Sequence, residues 1–332
     1  MVNIAINGFG RIGRHTFRAA WGKKNIKIVG INDLTDTKTL AHLLKYDTAY
    51  PDFEPKVEHD EKNLIIEGQE IPVFAEKDPA VLPWGKLEVD VVLECTGKFT
   101  KLEGAELHLK AGAKKVIISA PGKGGEIPTY VRGVNCGKVK AEKKAVINNA
   151  SCTTNCIAPV MAVLEEKFGI EKAMMTTVHA YTGDQNLQDG PHKDLRRARA
   201  AAQNMIPTTT GAAKAAGEVI PSVKGHFDGL AIRVPTITVS LSDIVMVLKK
   251  DVTKEEINEE FVRASKTDRF KNVLAVTDEP LVSSDFIGNT NSCIVDLGLT
   301  YVVGGNLVKI IAWYDNEYGY AHRLVEMAEL YA

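Results

Sequence analysis

Residues 2–13, which read VNIAINGFGRIG, decide the fold of the first half of the chain. An apolar run typical of a buried β-strand leads into a glycine turn, and a helical pattern follows as far as Trp21. A second β-rich run ends at Asp33, twenty positions after Gly13. Strand, glycine turn, helix, strand and acid in this order form the dinucleotide-binding fingerprint. The stretch therefore predicts a domain that binds NAD.

The three glycines of the turn have separate expected roles. Gly8 allows the sharp turn, Gly10 lets backbone amides approach a pyrophosphate, and Gly13 lets the helix lie close to the strand. The positive end of the helix dipole then attracts the phosphates. Asp33 would accept hydrogen bonds from an adenosine ribose and oppose a 2′-phosphate, which favours NAD over NADP. The alternative is a glycine turn that only joins a strand to a helix.

Further buried strands continue the α/β pattern. The apolar run 89–95 ends at Thr96, and the run 116–118 ends at Ser119. Loops at the carboxyl ends of parallel strands face the ligand in doubly wound sheets, so both residues are candidate cofactor contacts. The alternative for each is a polar cap on a strand end. We predict an α/β, doubly wound Rossmann-type dinucleotide-binding domain over residues 1–150.

The composition limits the possible functions. The 332 residues suffice for two domains, and 41 Lys and Arg nearly balance 42 Asp and Glu, which argues against a dedicated nucleic-acid partner. No apolar run approaches the roughly 18 residues of a membrane helix, and the N-terminus lacks a secretory-signal pattern. We therefore expect no membrane partner. Five cysteines are unlike a disulfide framework and predict a cytoplasmic protein.

One cysteine lies near the start of a helix in the second half of the chain. The polar stretch ASCTTNC, residues 150–156, precedes apolar residues at helical spacing, with Ser151 as the expected cap. The helix dipole and unpaired amides there favour a thiolate nucleophile at Cys152 and can stabilise an oxyanion. The alternative is a small buried cysteine. The C-x₃-C spacing to Cys156 fits no metal site, so we predict none.

A nucleophilic thiol needs a base, and one of the eight histidines has a suitable context. His179 ends a strand beside a glycine turn, where it can face a cleft. Arg233 interrupts an apolar strand and needs an anionic partner from the protein or a ligand. Arg197 and Thr210 belong to a basic, hydroxyl-rich stretch that suits phosphate oxygens. The alternative for that stretch is a solvated basic face.

The second half of the chain is rich in β runs. A strand is expected from Thr236 to Leu248, with others at 292–297 and 307–313. They predict an α+β catalytic domain, residues 151–315, with a mostly antiparallel sheet. A final helix at about 316–332 closes the chain.

Four motifs occur along the chain in a fixed order. They are NGFGRIGR at 7–14, ASCTTNC at 150–156, PTTTGAA at 207–213 and WYDNE at 313–317. In this order they resemble, from end to end, the phosphorylating glyceraldehyde-3-phosphate dehydrogenases. The cysteine stretch is far more specific than the glycine motif.

The resemblance implies NAD-dependent oxidative phosphorylation of D-glyceraldehyde 3-phosphate to 1,3-bisphosphoglycerate. Cys152 would attack the aldehyde to form a hemithioacetal, with His179 as the base. A hydride would pass to NAD⁺ and leave a thioacyl-enzyme, from which inorganic phosphate releases the product.

The resemblance also implies which residues bind the substrates and the cofactor. Thr182 and Arg233 would hold the phosphate of the aldehyde. The site for attacking phosphate would be lined by Ser151, Thr153, Arg197, Thr210 and Gly211. Contacts to the dinucleotide would come from Arg11, Ile12, Asp33, Lys77 and Ser119, with Asn316 at the carboxamide and Tyr320 near the ring.

Family members are typically homotetramers, in which the loop 181–203 reaches a neighbouring subunit's cofactor site. Their terminal helix packs on the first domain. This chain departs from the family pattern at two places. Gly190-Pro191 stands where many NAD-specific members have Leu-Pro, which weakens the steric exclusion of NADP, and Lys77 stands where arginine is common.

Three other functions fit parts of the pattern. A related enzyme that acts on another phosphorylated aldehyde, such as erythrose 4-phosphate, would share Cys152 and His179. An NAD-binding regulatory or adhesive protein without catalysis gives no reason for that pair to be intact together with Arg233. A cysteine hydrolase gives no reason for the pattern at residues 8–33.

Overall fold

The computed structural model describes residues 1–124 and 126–332, which form two compact units. The first unit comprises Met1–Tyr130, Gly137–Ala150 and Ala321–Ala332, and the second comprises Val131–Cys136 and Ser151–Tyr320. The chain thus passes into the second unit directly before Cys152. Among the described residues, no helix has the length and apolar character needed to span a membrane.

An eight-stranded sheet forms the centre of the first unit. Its strands are β1 (Val2–Asn7), β2 (Ile26–Asn32), β3 (Val57–His59), β4 (Asn63–Ile66), β5 (Gln69–Phe74), β6 (Val91–Glu94), β7 (Lys115–Ile118) and β8 (Val146–Asn148). Across the sheet they follow the order β3-β4-β5-β2-β1-β6-β7-β8. From β5 to β8 neighbouring strands run parallel, whereas β3, β4 and β5 pair antiparallel. The predicted doubly wound architecture is confirmed.

Three helices cover this sheet. They are α1 (Arg11–Ala20), α2 (Thr37–Lys45) and α3 (Leu102–Lys110). One part of the core joins Trp84, Val92 and Val116 with Ala105 of α3. The central residues of the parallel strands, such as Ile4–Ile6 and Val91–Leu93, are apolar because both faces of the sheet are covered there.

The glycine turn between β1 and α1 is sterically tight. Gly8 has φ +92°, and a Cβ there would lie 2.7 Å from the backbone nitrogen of Thr96. A Cβ at Gly13 would lie 2.1 Å from the carbonyl oxygen of Gly8. The backbone itself therefore excludes side chains at these two positions. A Cβ at Gly10 would meet nothing within 4 Å, so the space beside Gly10 is open.

The second unit also contains an eight-stranded sheet. Its strands are β9 (Ile170–Ala180), β10 (Ile206–Thr209), β11 (Phe227–Val234), β12 (Ser240–Leu248), β13 (Leu274–Thr277), β14 (Cys293–Asp296), β15 (Tyr301–Val303) and β16 (Leu307–Tyr314). The order is β10-β11-β9-β12-β16-β14-β13, and β15 pairs with β16. The sheet is mixed but mostly antiparallel, with β11 parallel to β9 and β13 parallel to β14.

The helices of this unit are α4 (Cys152–Phe168), α5 (Ala212–Val219) and α6 (Lys254–Ser265). The strand expected from Thr236 begins only at Ser240. Val239 adopts a left-handed φ of 68°, which interrupts the extended backbone before that point. Val239 is held in this conformation by burial against Phe286 and Ile294.

The last helix, α7 (Tyr318–Tyr331), begins in the second unit and ends in the first. Tyr331 is buried, and its hydroxyl donates to the carbonyl oxygen of Lys144. The ammonium group of Lys115 on β7 donates to the carbonyl oxygen of Tyr331 and lies 4.5 Å from the centre of its ring. These contacts fix the end of the chain within the first unit.

Candidate active site

Cys152 is the first residue of α4, and the preceding turn places it there. Ala150 has a left-handed φ of 55°, which redirects the chain between β8 and the helix. The Ser151 hydroxyl accepts the backbone N–H of Thr154 at 3.1 Å, which confirms the predicted cap. Pro159 lies inside α4, and the helix continues to Phe168. The thiol of Cys152 is therefore held at a helix N-terminus and is partly exposed.

His179 is the next-to-last residue of β9 and is buried. Its Nε2 lies 3.6 Å from Sγ of Cys152. Its Nδ1 lies 2.7 Å from the carbonyl oxygen of Ala180, so Nδ1 carries the hydrogen in the neutral ring and donates it to that acceptor. Nε2 therefore presents its lone pair to the thiol, as a general base must. The sequence alone did not establish this contact.

Desolvation controls the charge of this pair. It raises the pKa of the Cys152 thiol, although the positive charge of Arg233 and a hydrogen bond with Thr153 act in the opposite direction. Burial, and then the charge of Arg233, lower the pKa of His179 to about 3. The resting pair is thus a thiol and a neutral imidazole. The sequence predicted a thiolate favoured by the helix dipole, but the dipole alone does not overcome the desolvation of the sulfur. Transfer of the thiol proton to Nε2 creates both charges in contact with each other, which offsets part of the desolvation cost.

Arg233 lies beside His179 because β11 and β9 are adjacent parallel strands with these two residues in register. Its Nη1 is 3.0 Å from Nδ1 of His179 and donates to the carbonyl oxygen of Ala180 at 3.1 Å. The same atom is 3.4 Å from Oγ1 of Thr182. The Nε of Arg233 is buried and has no hydrogen-bond partner in the described parts of the chain. Arg233 and Thr182 thus offer an anion a charged donor and a hydroxyl next to the Cys–His pair.

Two of the predicted phosphate-binding residues of the polar loop, Arg197 and Thr210, already contact other groups of the protein. Arg197 forms an ion pair with Asp184, and its charge is close enough to lower the pKa of His179 further. Thr210 accepts a backbone N–H at the start of α5 at 3.2 Å. Gly211 follows it, exposed and with open space where a side chain would be. A phosphate bound by Arg197 would have to compete with Asp184.

Tyr314, at the end of β16, is a site residue that sequence reasoning missed. Its hydroxyl lies 2.9 Å from Oγ1 of Thr153 and 2.8 Å from Oγ1 of Thr177. Its ring stands edge-on to His179, with 5.9 Å between ring centres. Thr153 is therefore buried with its hydroxyl directed at Tyr314, and its contact with a phosphate stays a prediction. The only signal in the sequence was the position of Tyr314 within WYDNE.

Ser240 links two predicted site segments and was also missed. Its Oγ accepts the N–H of Ala180 at 3.1 Å and donates to Oδ1 of Asn316 at 2.8 Å. Because Oδ1 of Asn316 is used in this way, the Nδ2 end of the amide is the part available as a donor to a carboxamide. Tyr320 is buried in the first part of α7.

In the first unit, the predicted cofactor residues lie at the ends of adjacent strands. Gly8, Asp33, Thr96 and Ser119 follow β1, β2, β6 and β7, so their loops share one edge of the parallel sheet. Asp33 has an additional contact that the sequence did not suggest. Its Oδ2 accepts the N–H of Phe9 at 2.7 Å and so supports the glycine turn.

The start of α1 fits a dinucleotide pyrophosphate. The helix follows Gly10, which has no side chain to cap it, so the amides of the first turn are available to an anion. Arg11 donates to Oδ2 of Asp47 at 2.5 Å, and this ion pair holds its guanidinium group at this end of the helix. Ile12 is half-buried, whereas Lys77 is exposed on the loop after β5.

Comparison with known proteins agrees with this architecture. The profile described as glyceraldehyde 3-phosphate dehydrogenase, NAD binding domain, matches residues 2–102, and that of the C-terminal domain matches residues 151–316. The glyceraldehyde-3-phosphate dehydrogenase of Geobacillus stearothermophilus is 54% identical over 327 residues, which cover 98% of this chain and 97% of the relative. That of Thermotoga maritima is 57% identical over 332 residues, with 99% of each chain covered. The chain belongs to the glyceraldehyde-3-phosphate dehydrogenase family.

Proposed function

We propose that this protein catalyses the NAD-dependent oxidative phosphorylation of D-glyceraldehyde 3-phosphate to 1,3-bisphosphoglycerate. The observation that carries the proposal is the 3.6 Å contact between Sγ of Cys152 and Nε2 of His179, with the ring oriented by Ala180. Arg233 and Thr182 stand beside this pair as donors for an anion. A nucleophile, a base and a phosphate site in one group suit a phosphorylated aldehyde, and membership of the family supports the same reaction.

The residues of the second unit perform the covalent chemistry. Nε2 of His179 takes the thiol proton as Sγ of Cys152 attacks the aldehyde carbon, and it returns the proton to the oxygen of the hemithioacetal. Arg233 and Thr182 hold the phosphate of the substrate during this step. Amides at the start of α4 stabilise the developing oxyanion. NAD⁺, when bound, supplies the acceptor for the hydride.

The second half of the reaction consumes the thioester on Cys152. His179 removes the hydroxyl proton as the hemithioacetal is oxidised, which leaves an acyl group on sulfur. Inorganic phosphate then attacks the acyl carbon and expels the thiolate, so the thioester energy is kept in the acyl phosphate. We assign this phosphate to Ser151, Thr153, Arg197, Thr210 and Gly211.

The cofactor is assigned to the edge of the first unit where the strands end. The glycine turn Gly8–Gly13 with Arg11 and Ile12 would hold the pyrophosphate, and Asp33 would hold the ribose. Thr96, Ser119 and Lys77 would complete the pocket. Asn316 would orient the nicotinamide carboxamide, with Tyr320 near the ring. The charge of Asp33 favours NAD, while Gly190 leaves the exclusion of NADP less strict.

We further propose that the chain forms a homotetramer in the cytoplasm. One face of the second sheet exposes Met174, Leu230 and Leu307 along a groove. Leu187 and Leu195, on the loop predicted to reach a neighbour, are about 80% exposed. Apolar surface of this kind supports contacts between copies of the chain. All five cysteines are free thiols, in keeping with a reducing compartment.

The test is the initial rate of NADH formation from glyceraldehyde 3-phosphate, with and without inorganic phosphate. We expect phosphate-dependent turnover that falls at least about a thousandfold in Cys152→Ala. Cys156→Ala is the matched control, because that buried thiol lies one helical turn further along α4 and should leave turnover within about threefold. Wild-type turnover in Cys152→Ala would refute the nucleophile. Faster turnover with erythrose 4-phosphate would reassign the substrate.

A further inference from the structure

A buried polar chain crosses the first sheet at the ends of three neighbouring strands. Asn32, Asn7 and Glu94 are the last residues of β2, β1 and β6, and they lie side by side in register. Nδ2 of Asn32 donates to Oδ1 of Asn7 at 2.7 Å, and Nδ2 of Asn7 donates to Oε2 of Glu94. Each of the three is at most 5% exposed. The reaction proposed above uses none of them.

Glu94 holds a buried negative charge within this chain. Its Oε2 also accepts Nε2–H of His108 at 3.1 Å. Its Oε1 accepts the N–H of Thr96 at 2.8 Å and the hydroxyl of the same residue. Each oxygen accepts two hydrogen bonds, Oε2 from Asn7 and His108 and Oε1 from Thr96, which is the environment of a carboxylate. Burial and the neighbouring Glu94 charge raise the pKa of Cys95 to about 12.

Trp84 determines which nitrogen of His108 carries the hydrogen. The indole N–H is a donor only, and it points at Nδ1 of His108 at 3.0 Å. Nδ1 is therefore an acceptor, and Nε2 carries the hydrogen that it donates to Glu94. Both rings are fully buried. His108 cannot become an acceptor toward Glu94 without breaking its bond with the indole.

This network ends on the loops that are assigned to the cofactor. Asn7 directly precedes the glycine turn, and Glu94 holds both donor groups of Thr96. We propose that Glu94 is a positioning residue for NAD binding, which ties the Thr96 loop to the glycine turn and is itself held by the Trp84–His108 pair. The proposal rests on the assignment of NAD to the first unit.

Glu94→Gln in the full chain tests this role. The glutamine amide places an N–H₂ group against Thr96 or against Asn7 and His108, where donors already stand. We expect the dissociation constant for NAD⁺, measured by calorimetry, to rise at least about tenfold. Alkylation of Cys152 by iodoacetamide without cofactor should stay within about twofold, because that thiol belongs to the other unit. Glu260→Gln, the same change at a buried carboxylate of α6, is the control and should leave NAD⁺ affinity unchanged.

A second variant separates this role from a general loss of packing. Trp84→Phe removes the indole donor, so in the double variant Glu94→Gln/Trp84→Phe the ring of His108 is free to move its hydrogen to Nδ1. Nε2 can then accept a hydrogen bond from the introduced glutamine amide. We expect the double variant to bind NAD⁺ at least about threefold more tightly than Glu94→Gln alone. Two packing defects would instead weaken binding further.

The outcomes that overturn the proposal are specific. Folded Glu94→Gln with wild-type affinity for NAD⁺ would do so, as would a double variant that binds no more tightly than the single one. If Glu94→Gln does not fold, Glu94→Asp keeps the charge but is too short to reach both sets of donors. That variant should bind NAD⁺ at least about threefold more weakly, and wild-type affinity would overturn the proposal. A wild-type chain that binds no NAD⁺ would refute the proposed function instead.

Discussion

Desolvation keeps the Cys152 thiol protonated at rest, while the neutral tautomer of His179 offers the nearest place for its proton. The carbonyl oxygen of Ala180 sets that tautomer, and the charge of Arg233 opposes protonation of the ring. Reactivity therefore depends on the pair more than on the helix N-terminus at which the sulfur lies.

Replacement of His179 by asparagine tests this dependence. We expect kcat to fall about 10²- to 10⁴-fold in His179→Asn, because the general base is lost. Alkylation of Cys152 should also be slower at neutral pH and rise steeply only at high pH, since the thiol must then ionise without a base. Rates measured between pH 6 and 10 would show this, and a pH profile that matches the wild type would contradict it. His59→Asn, at an exposed histidine, is the control.

Asp33 has two functions that can be separated by mutation. Asp33→Gly removes both the charge and the acceptor for the N–H of Phe9, so NAD⁺ binding should weaken and the preference over NADP⁺ should fall roughly tenfold. Asp33→Asn keeps an acceptor oxygen and removes the charge, so the preference should fall with a smaller loss of NAD⁺ affinity. Dissociation constants for both dinucleotides decide the matter. If the wild type, Asp33→Gly and Asp33→Asn all prefer NAD⁺ over NADP⁺ by the same factor, groups other than Asp33 discriminate between the two dinucleotides.

At the scale of the elements, the glycine turn gives a sharp contrast between two positions. Gly13→Ala forces a Cβ against the carbonyl oxygen of Gly8 and should destabilise the fold by about 2 kcal/mol. Gly10→Ala has room for the Cβ within the protein, so the free energy of unfolding should change by less than about 0.5 kcal/mol while NAD⁺ binding weakens. Urea unfolding and calorimetry measure the two effects. A Gly10→Ala variant that is less stable but binds NAD⁺ as tightly as the wild type would contradict the assignment of the pyrophosphate to the glycine turn.

The elements also show what the sequence was able to predict. The strand–turn–helix unit and the capped start of α4 follow from signals only a few residues apart, such as Ser151 before Cys152. The approach of Tyr314 to Thr153 joins the end of β16 to the start of α4, and no local pattern encodes it. The late start of β12 was hidden for the same reason, because packing around Val239 overrides its propensity for extended backbone.

Over the whole molecule, the buried His15 and His179 and the half-buried His322 make stability dependent on pH. Burial lowers the pKa of His15 and His179 to about 3 and that of His322 to about 4. The unfolded chain binds these protons near pH 6.5, so it holds more protons than the folded protein below that pH. Stability should therefore fall as the pH drops from about 6.5 toward 4, with a loss of about 2 kcal/mol per histidine at pH 5.

Urea unfolding at pH 7 and pH 5 measures this effect. His179→Asn should lose about 2 kcal/mol less than the wild type between the two pH values, since asparagine does not titrate. His59→Asn, at the exposed position, should follow the wild type. An equal loss in His179→Asn would show that this histidine is not the source.

The path of α7 has a consequence for how the protein is made. The first unit combines residues 1–130 and 137–150 with residues 321–332, which include the buried Tyr331 of α7. During translation, every residue of the second unit leaves the ribosome before the first unit has its final helical segment. Until α7 has emerged, the nascent sheet lacks the tyrosine that belongs against Lys115 and Lys144. The half of the protein that is synthesised first is thus the last to be completed, and a chain that stops a few residues early is left with an unfinished nucleotide-binding half.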